Sequence, residues 1–135
     1  MKYLIKLIML CSVLFVGYAQ AESETGVSRS AFTTAIENKE PVSELKTISN
    51  NVGGVYFFTE LLGLNEHTII HRWEYNGKVM AEIPFNIAAN RWRTWSSKNI
   101  LPGWTGIWTV SVIDEGGNVI EQNEFEYVEV EEISN

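Results

Sequence analysis

The sequence predicts an all-β fold, a seven-stranded antiparallel β-sandwich of the immunoglobulin or fibronectin type III kind. Three observations carry this. Runs rich in β-branched and aromatic residues recur with turn signals between them, no segment keeps a helical period beyond two turns, and seven such runs fit within about 100 residues.

In chain order, strands are expected near 27–36, 53–62, 67–75, 79–87, 91–98, 106–114 and 119–128. Between the first two, "NKEPVSELKTISNNVGG" is polar and turn-rich and reads as a long loop or a short helical turn. The third and fourth form a hairpin in "HRWEYNGKVMAEIPF". A two-residue Asn76-Gly77 turn would set Tyr75 opposite Lys78 and mix the two faces. Adding Lys78 to the loop sets Tyr75 opposite Val79, Trp73 opposite Ala81, His71 opposite Ile83 and Ile69 opposite Phe85, with Arg72 beside Glu82. A one-residue slip turns every side chain over, so face matching favours the three-residue loop.

The fifth strand, "RWRTWSSK", carries two tryptophans three residues apart, which on a regular strand point to opposite faces. Arg91, Arg93 and Trp95 share one side, Trp92, Thr94 and Ser96 the other. Burying two unpaired arginines costs more than exposing one indole, so Trp92 is expected in the core and Trp95 outside. The arginines would stack on that indole and pair with carboxylates such as Glu74 or Glu82. Trp104, in the turn "LPGWTG", either caps the end of the core or projects from it. The closing hairpin, "GIWTVSVIDEGGNVIEQNEFEY", points Trp108, Val110 and Val112 inward and sets Phe125 opposite Trp108.

Lys2 and Lys6 flank the apolar run Leu4–Val16, which ends in Gly17 and Ala19-Gln20-Ala21, the pattern of a cleaved secretory signal peptide over residues 1–21. The run is shorter than the roughly 20 residues of a spanning helix, so no integral membrane segment is expected after cleavage. Residues 22–135 then make one periplasmic domain, with 129–135 a disordered acidic tail. The only cysteine, Cys11, lies within the signal, so thiol catalysis, disulfide exchange and thiolate metal sites are not expected. Losing two lysines leaves 8 basic and 17 acidic residues, a net charge of −9 that disfavours nucleic acid and anionic lipid as partners. Against that background "RWRTWSSK" reads as a local positive patch.

His67 and His71 have a metal-like spacing for a helix, but on a strand they stand about 13 Å apart. One is expected at a strand start, the other packed near Tyr75 or the backbone. No catalytic motif, metal site or cofactor is expected. The outward carboxylates Glu124 and Glu126 and those that follow read as a charged edge that discourages aggregation.

Taken together, "GVSRSAFTTAIENKEPV", "VYFFTEL", "HRWEYNGKVMAEIPFNI", "RWRTWSSK" and "GIWTVSVIDEGGNVIEQNEFEY" resemble a bacterial domain-of-unknown-function family, the one numbered 2914. The resemblance runs from about Gly26 to Tyr127, and its RW-x-x-x-SSK and FFTEL blocks are specific. It implies a small exported or membrane-tethered domain and brings no activity, cofactor or catalytic residue. The expected function is therefore a non-enzymatic binding module for an envelope protein or other cell-envelope partner, with Arg91, Arg93, Trp95, Lys98 and Trp104 as candidate contacts. The alternative is a carbohydrate-binding module stacking a glycan on Trp95 or Trp104. A small hydrolase ranks third, because no nucleophile–base pair is evident in the sequence.

Overall fold

A computed structural model describes residues 25–130. The signal peptide read over residues 1–21 lies outside the described residues, as do residues 131–135 of the acidic tail. The described chain is all-β: β1 (Gly26–Thr33), β2 (Ile36–Glu37), β3 (Glu40–Pro41), β4 (Thr47–Ser49), β5 (Gly54–Leu62), β6 (Thr68–Tyr75), β7 (Lys78–Asn86), β8 (Arg91–Asn99), β9 (Gly106–Ile113) and β10 (Val119–Val128). The seven long strands stand where the alternation places them, within a few residues. The segment expected to be a loop or helical turn instead supplies the three short strands β2, β3 and β4.

A three-stranded sheet, β1-β5-β8, faces a five-stranded one, β4-β10-β9-β6-β7, and β2 and β3 form a separate hairpin. The pairing is antiparallel except for β4, which runs parallel to β10 with Thr47 opposite Glu126 and Ser49 opposite Val128. The antiparallel expectation is corrected at that one strand. The chain leaves β1 at Thr33, returns to it where the Leu45 N–H donates to the Phe32 carbonyl, and joins β10 at Thr47, two residues after Leu45.

The inner faces of the two large sheets share one core. Phe57 and Leu61 come from β5, Ile69 and Trp73 from β6, Trp108, Val110 and Val112 from β9, and Phe125 and Tyr127 from β10. Burying such side chains is the main stabilising term for a domain without a disulfide. The rings pack closely: Phe32 lies 4.7 Å from Phe125, and Trp108 stacks parallel to Phe125 at 6.3 Å. Phe125 pairs with Trp108 as face matching requires.

The β6–β7 hairpin departs from the three-residue loop. Tyr75 pairs with Lys78 across a two-residue Asn76-Gly77 turn, both with positive φ (50° and 73°) as a type I′ turn needs. A bulge then restores the faces: Glu74 pairs with Val79, Trp73 with Ala81, and the expected pairs of His71 with Ile83 and Ile69 with Phe85 follow. Met80 is the extra residue. Turn chemistry and face matching conflict by one residue, and the bulge satisfies both.

Candidate functional site

β8 runs along one edge of the three-stranded sheet, and its alternation divides the two tryptophans as the charge argument requires. Thr94 and Ser96 are buried on the inner face, where Trp92 packs half-buried against the core rather than within it. Arg91, Arg93 and Trp95 lie on the outer face, opposite Leu62, Glu60 and Phe58 of β5.

The arginine partners are not Glu74 or Glu82. Arg93 Nη1 donates to Glu40 Oε1 at 2.7 Å, and Arg29 Nη2 donates to Glu40 Oε2, also at 2.7 Å. Arg29 belongs to β1 and Arg93 to β8, so Glu40 spans β5 and draws the β2–β3 hairpin across the outer face. The turn of that hairpin holds Asn38 and Lys39 at positive φ, 51° and 61°. These hydrogen bonds from the two guanidiniums hold the Glu40 carboxyl below its ordinary range.

Beneath it, Glu60 is only 6% exposed on the outer face. Burial pushes its carboxyl up, but the Ser28 hydroxyl, Arg91 and Arg29 outweigh that and leave it below its ordinary value. Arg29 also sits 5.1 Å from the centre of the Phe58 ring. The positive patch read from "RWRTWSSK" is thus neutralised by carboxylates remote in sequence. Arg91 is the looser member: its side chain is 72% exposed and meets Glu60 at 3.3 Å. Glu82 pairs with Arg72 instead, at 2.7 Å, as the β6–β7 register implied.

Lys98 and Trp104 do not join this face. Lys98 has the inward parity of Trp92 and lies at the far end of β8, its Nζ 5.5 Å over the Trp104 ring. Trp104 leans on Trp108 at 6.0 Å, and its carbonyl accepts from the Trp108 indole N–H. It closes the end of the core, so the five candidates divide between two places.

Sequence reasoning missed a polar chain inside the sandwich. The Trp73 indole N–H donates to Ser96 Oγ at 3.0 Å, and Ser96 Oγ stands 2.8 Å from His71 Nδ1. On the other side of the ring, His71 Nε2 lies 3.1 Å from Thr59 Oγ1, whose own hydroxyl donates to the Thr94 carbonyl. Each hydroxyl has one hydrogen. With Thr59 already donating to Thr94, it accepts from Nε2–H, and Ser96 donates to a bare Nδ1. The chain runs one way, from Trp73 through Ser96, His71 and Thr59 to Thr94, and fixes a neutral imidazole.

Burial pushes the His71 pKa down to about 3. The expected contacts with Tyr75 or the backbone are replaced by these hydroxyls, because the ring faces β5 and β8 across the core. His67 precedes β6, as expected, and meets Glu115 at 3.4 Å. Ser96 and His71 are a hydroxyl–imidazole pair in contact, yet both are sealed between the sheets and the second ring nitrogen meets a threonine rather than a carboxylate. The arrangement joins two sheets. Among the described residues no group of three or more histidine or acidic side chains is placed to hold a metal, and no helix is long and apolar enough to cross a membrane.

None of the curated proteins matches the chain. The FFTEL block of β5 lies outside the stretch matched by a family model, whereas RW-x-x-x-SSK lies within it. Residues 66–127, from the turn before β6 to the inward Tyr127 of β10, match the model of the family described as "Protein of unknown function (DUF2914)", and the chain resembles that family across those five strands.

Proposed function

We propose that the protein is an exported, non-enzymatic interaction module acting in the periplasm, a single domain over residues 22–135 that engages a protein or other envelope component through Arg91 and Trp95. The observation that carries this is the state of Arg91. Its side chain is 72% exposed and meets one carboxylate, while Trp95 lies partly exposed on the same face four residues on. Arginine and tryptophan are the side chains in which interface energy concentrates. Arg93, tied to Glu40, serves to hold the hairpin that borders this surface. Lys98 and Trp104 form a secondary contact at the end of the sandwich.

The fibronectin-like reading rests on strand order. The seven long strands follow β1-β5-β8 against β10-β9-β6-β7, with the fourth long strand beside the third rather than on the first sheet as in a constant immunoglobulin domain. Trp73, buried on the third long strand, takes the place of the core tryptophan of such sandwiches.

The second reading, a sugar stacked on an exposed ring, is favoured more by Trp95 than by Trp104, because Lys98 covers Trp104. Retention on isolated envelope polysaccharide and on envelope proteins, each with wild type, Arg91→Ala and Trp95→Ala, separates the two. Protein capture lost in both variants supports the interaction module. Retention on polysaccharide alone, lost in Trp95→Ala, replaces it with the glycan reading.

A further inference from the structure

The free edge of β10 offers a different surface, remote from Arg91. β4 pairs only with Glu126–Val128, and the Glu126 N–H donates to the Lys46 carbonyl at 2.9 Å, on the side away from β9. Backbone groups alternate along a strand, so the N–H and C=O of Gln122 and Glu124 point the same way. Among the described residues nothing pairs with them. A row of unpaired backbone groups is a template for another strand.

Two grooves flank this edge. One, of ≈ 430 Å³, lies toward β1 between Ser30–Phe32, Leu45 and Asn123. The other, of ≈ 510 Å³, opens on the outer face beside Ile107, Gln122 and Glu126. Both are lined by Lys46, Thr47, Asn123 and Glu124, so they meet along β10 itself. An added strand would send alternate side chains into one groove and then the other, the arrangement by which strand addition gains specificity.

Charge selects the occupant. Glu44 and Glu124 line the first groove and Glu124 and Glu126 the second, against the single cation Lys46. A second copy of this chain, with net charge −7, brings like charge to the edge. So do the chain's own flanks, which carry Glu22 and Glu24 on one side and Glu129, Glu131 and Glu132 on the other. The same carboxylates that repel self-pairing attract an opposite charge.

The geometry points to the free edge of β10 as a strand-addition site for an extended basic peptide, whose alternate side chains fill the grooves on either side of Gln122–Phe125. An eight-residue peptide alternating lysine and valine, and its glutamate counterpart, serve as probes against the mature chain. The lysine peptide is expected to slow hydrogen exchange at the amides of Gln122 and Glu124, and to bind at least about tenfold more weakly when salt shortens the Debye length from about 10 Å to about 3 Å. The glutamate peptide is expected not to bind.

Gln122→Pro removes one outward N–H without changing charge, and proline is accommodated where a strand N–H faces solvent. It is expected to weaken binding at least about tenfold with the melting temperature retained. Should that variant unfold, Glu124→Lys/Glu126→Lys provides an independent reading and is expected to exchange the preference toward the glutamate peptide. Equal binding of both peptides, protection of these amides before any peptide is added, or protection confined to other strands would each overturn the proposal.

Discussion

Lowering the pH should destabilise this protein through His71 before its carboxylates titrate. The folded chain holds the imidazole neutral, with a pKa of about 3 against an ordinary 6.5, because burial excludes the charged form. The unfolded chain takes up that proton below pH 6.5 and the folded chain does not, so stability is full above 6.5 and is lost as pH falls toward 3. Each unit within the window is worth up to about 1.4 kcal/mol, and the whole window about 4–5 kcal/mol. The hydrogen-bond chain gives the atomic reason. A proton on Nδ1 would face the Ser96 hydroxyl hydrogen, and Ser96 could turn that hydrogen away only by losing its acceptor.

Glu40, Glu60, Asp114 and Glu115 also have depressed pKa values and lose stability in acid, but only as pH nears their ordinary values of 4.5 and 3.8. The interval from pH 6.5 to about 5 therefore reports the histidine, with an expected loss of about 2 kcal/mol. Urea unfolding followed by tryptophan fluorescence at intervals through that range measures it. His71→Gln keeps an amide donor and acceptor but cannot titrate, and its stability should stay level there. Parallel curves for wild type and His71→Gln would refute the reasoning, because the proton would then be entering elsewhere.

Trp108→Ala should cost about 3–5 kcal/mol, since the ring is fully buried, and Trp92→Ala less because Trp92 lies at the core's margin. Trp95→Ala should stay within about 1 kcal/mol in the same denaturation assay, and a loss equal to that of Trp108→Ala would mean that the outer ring is structural. Gly77→Val should lower stability by about 1 kcal/mol or more, because φ of 73° is hostile to a β-branched residue, whereas Asn76→Gly should be nearly neutral. Glu40→Gln should release the β2–β3 hairpin from Arg29 and Arg93, seen as faster proteolysis after Lys39 with little change in melting temperature, and unchanged cleavage would show that other contacts hold it.

Alternation made the seven long strands and the two faces of β8 legible, because a half-buried strand writes its orientation into every second residue. Phe125 met Trp108 for the same reason. The segment after β1 was opaque because β2 and β3 have two residues each and β4 has three, too few to show a period. The partners of Arg91 and Arg93 depended on knowing that β5 lies beside β8 and that a hairpin folds over both, which is topology rather than pattern. The bulge at Met80 was hidden because each of its causes was visible but pointed to a different loop. His71 alternated inward as a hydrophobic residue would, but its acceptors on β5 and β8 become neighbours only when one sheet closes on the other.

The directed chain from Trp73 to Thr94 bears on the order of folding events. Its members lie on β5, β6 and β8, in separate sheets, so neither sheet can assemble it alone. Apolar side chains can collapse in approximate positions and anneal, whereas these donors find acceptors only at final registration. The chain should therefore close after the rate-limiting barrier. Mild acid should then act on the unfolding limb, hastening escape from the native state while leaving the rate of refolding nearly unchanged. The imidazole would act as a late latch, setting how long the sandwich stays shut more than how quickly it forms.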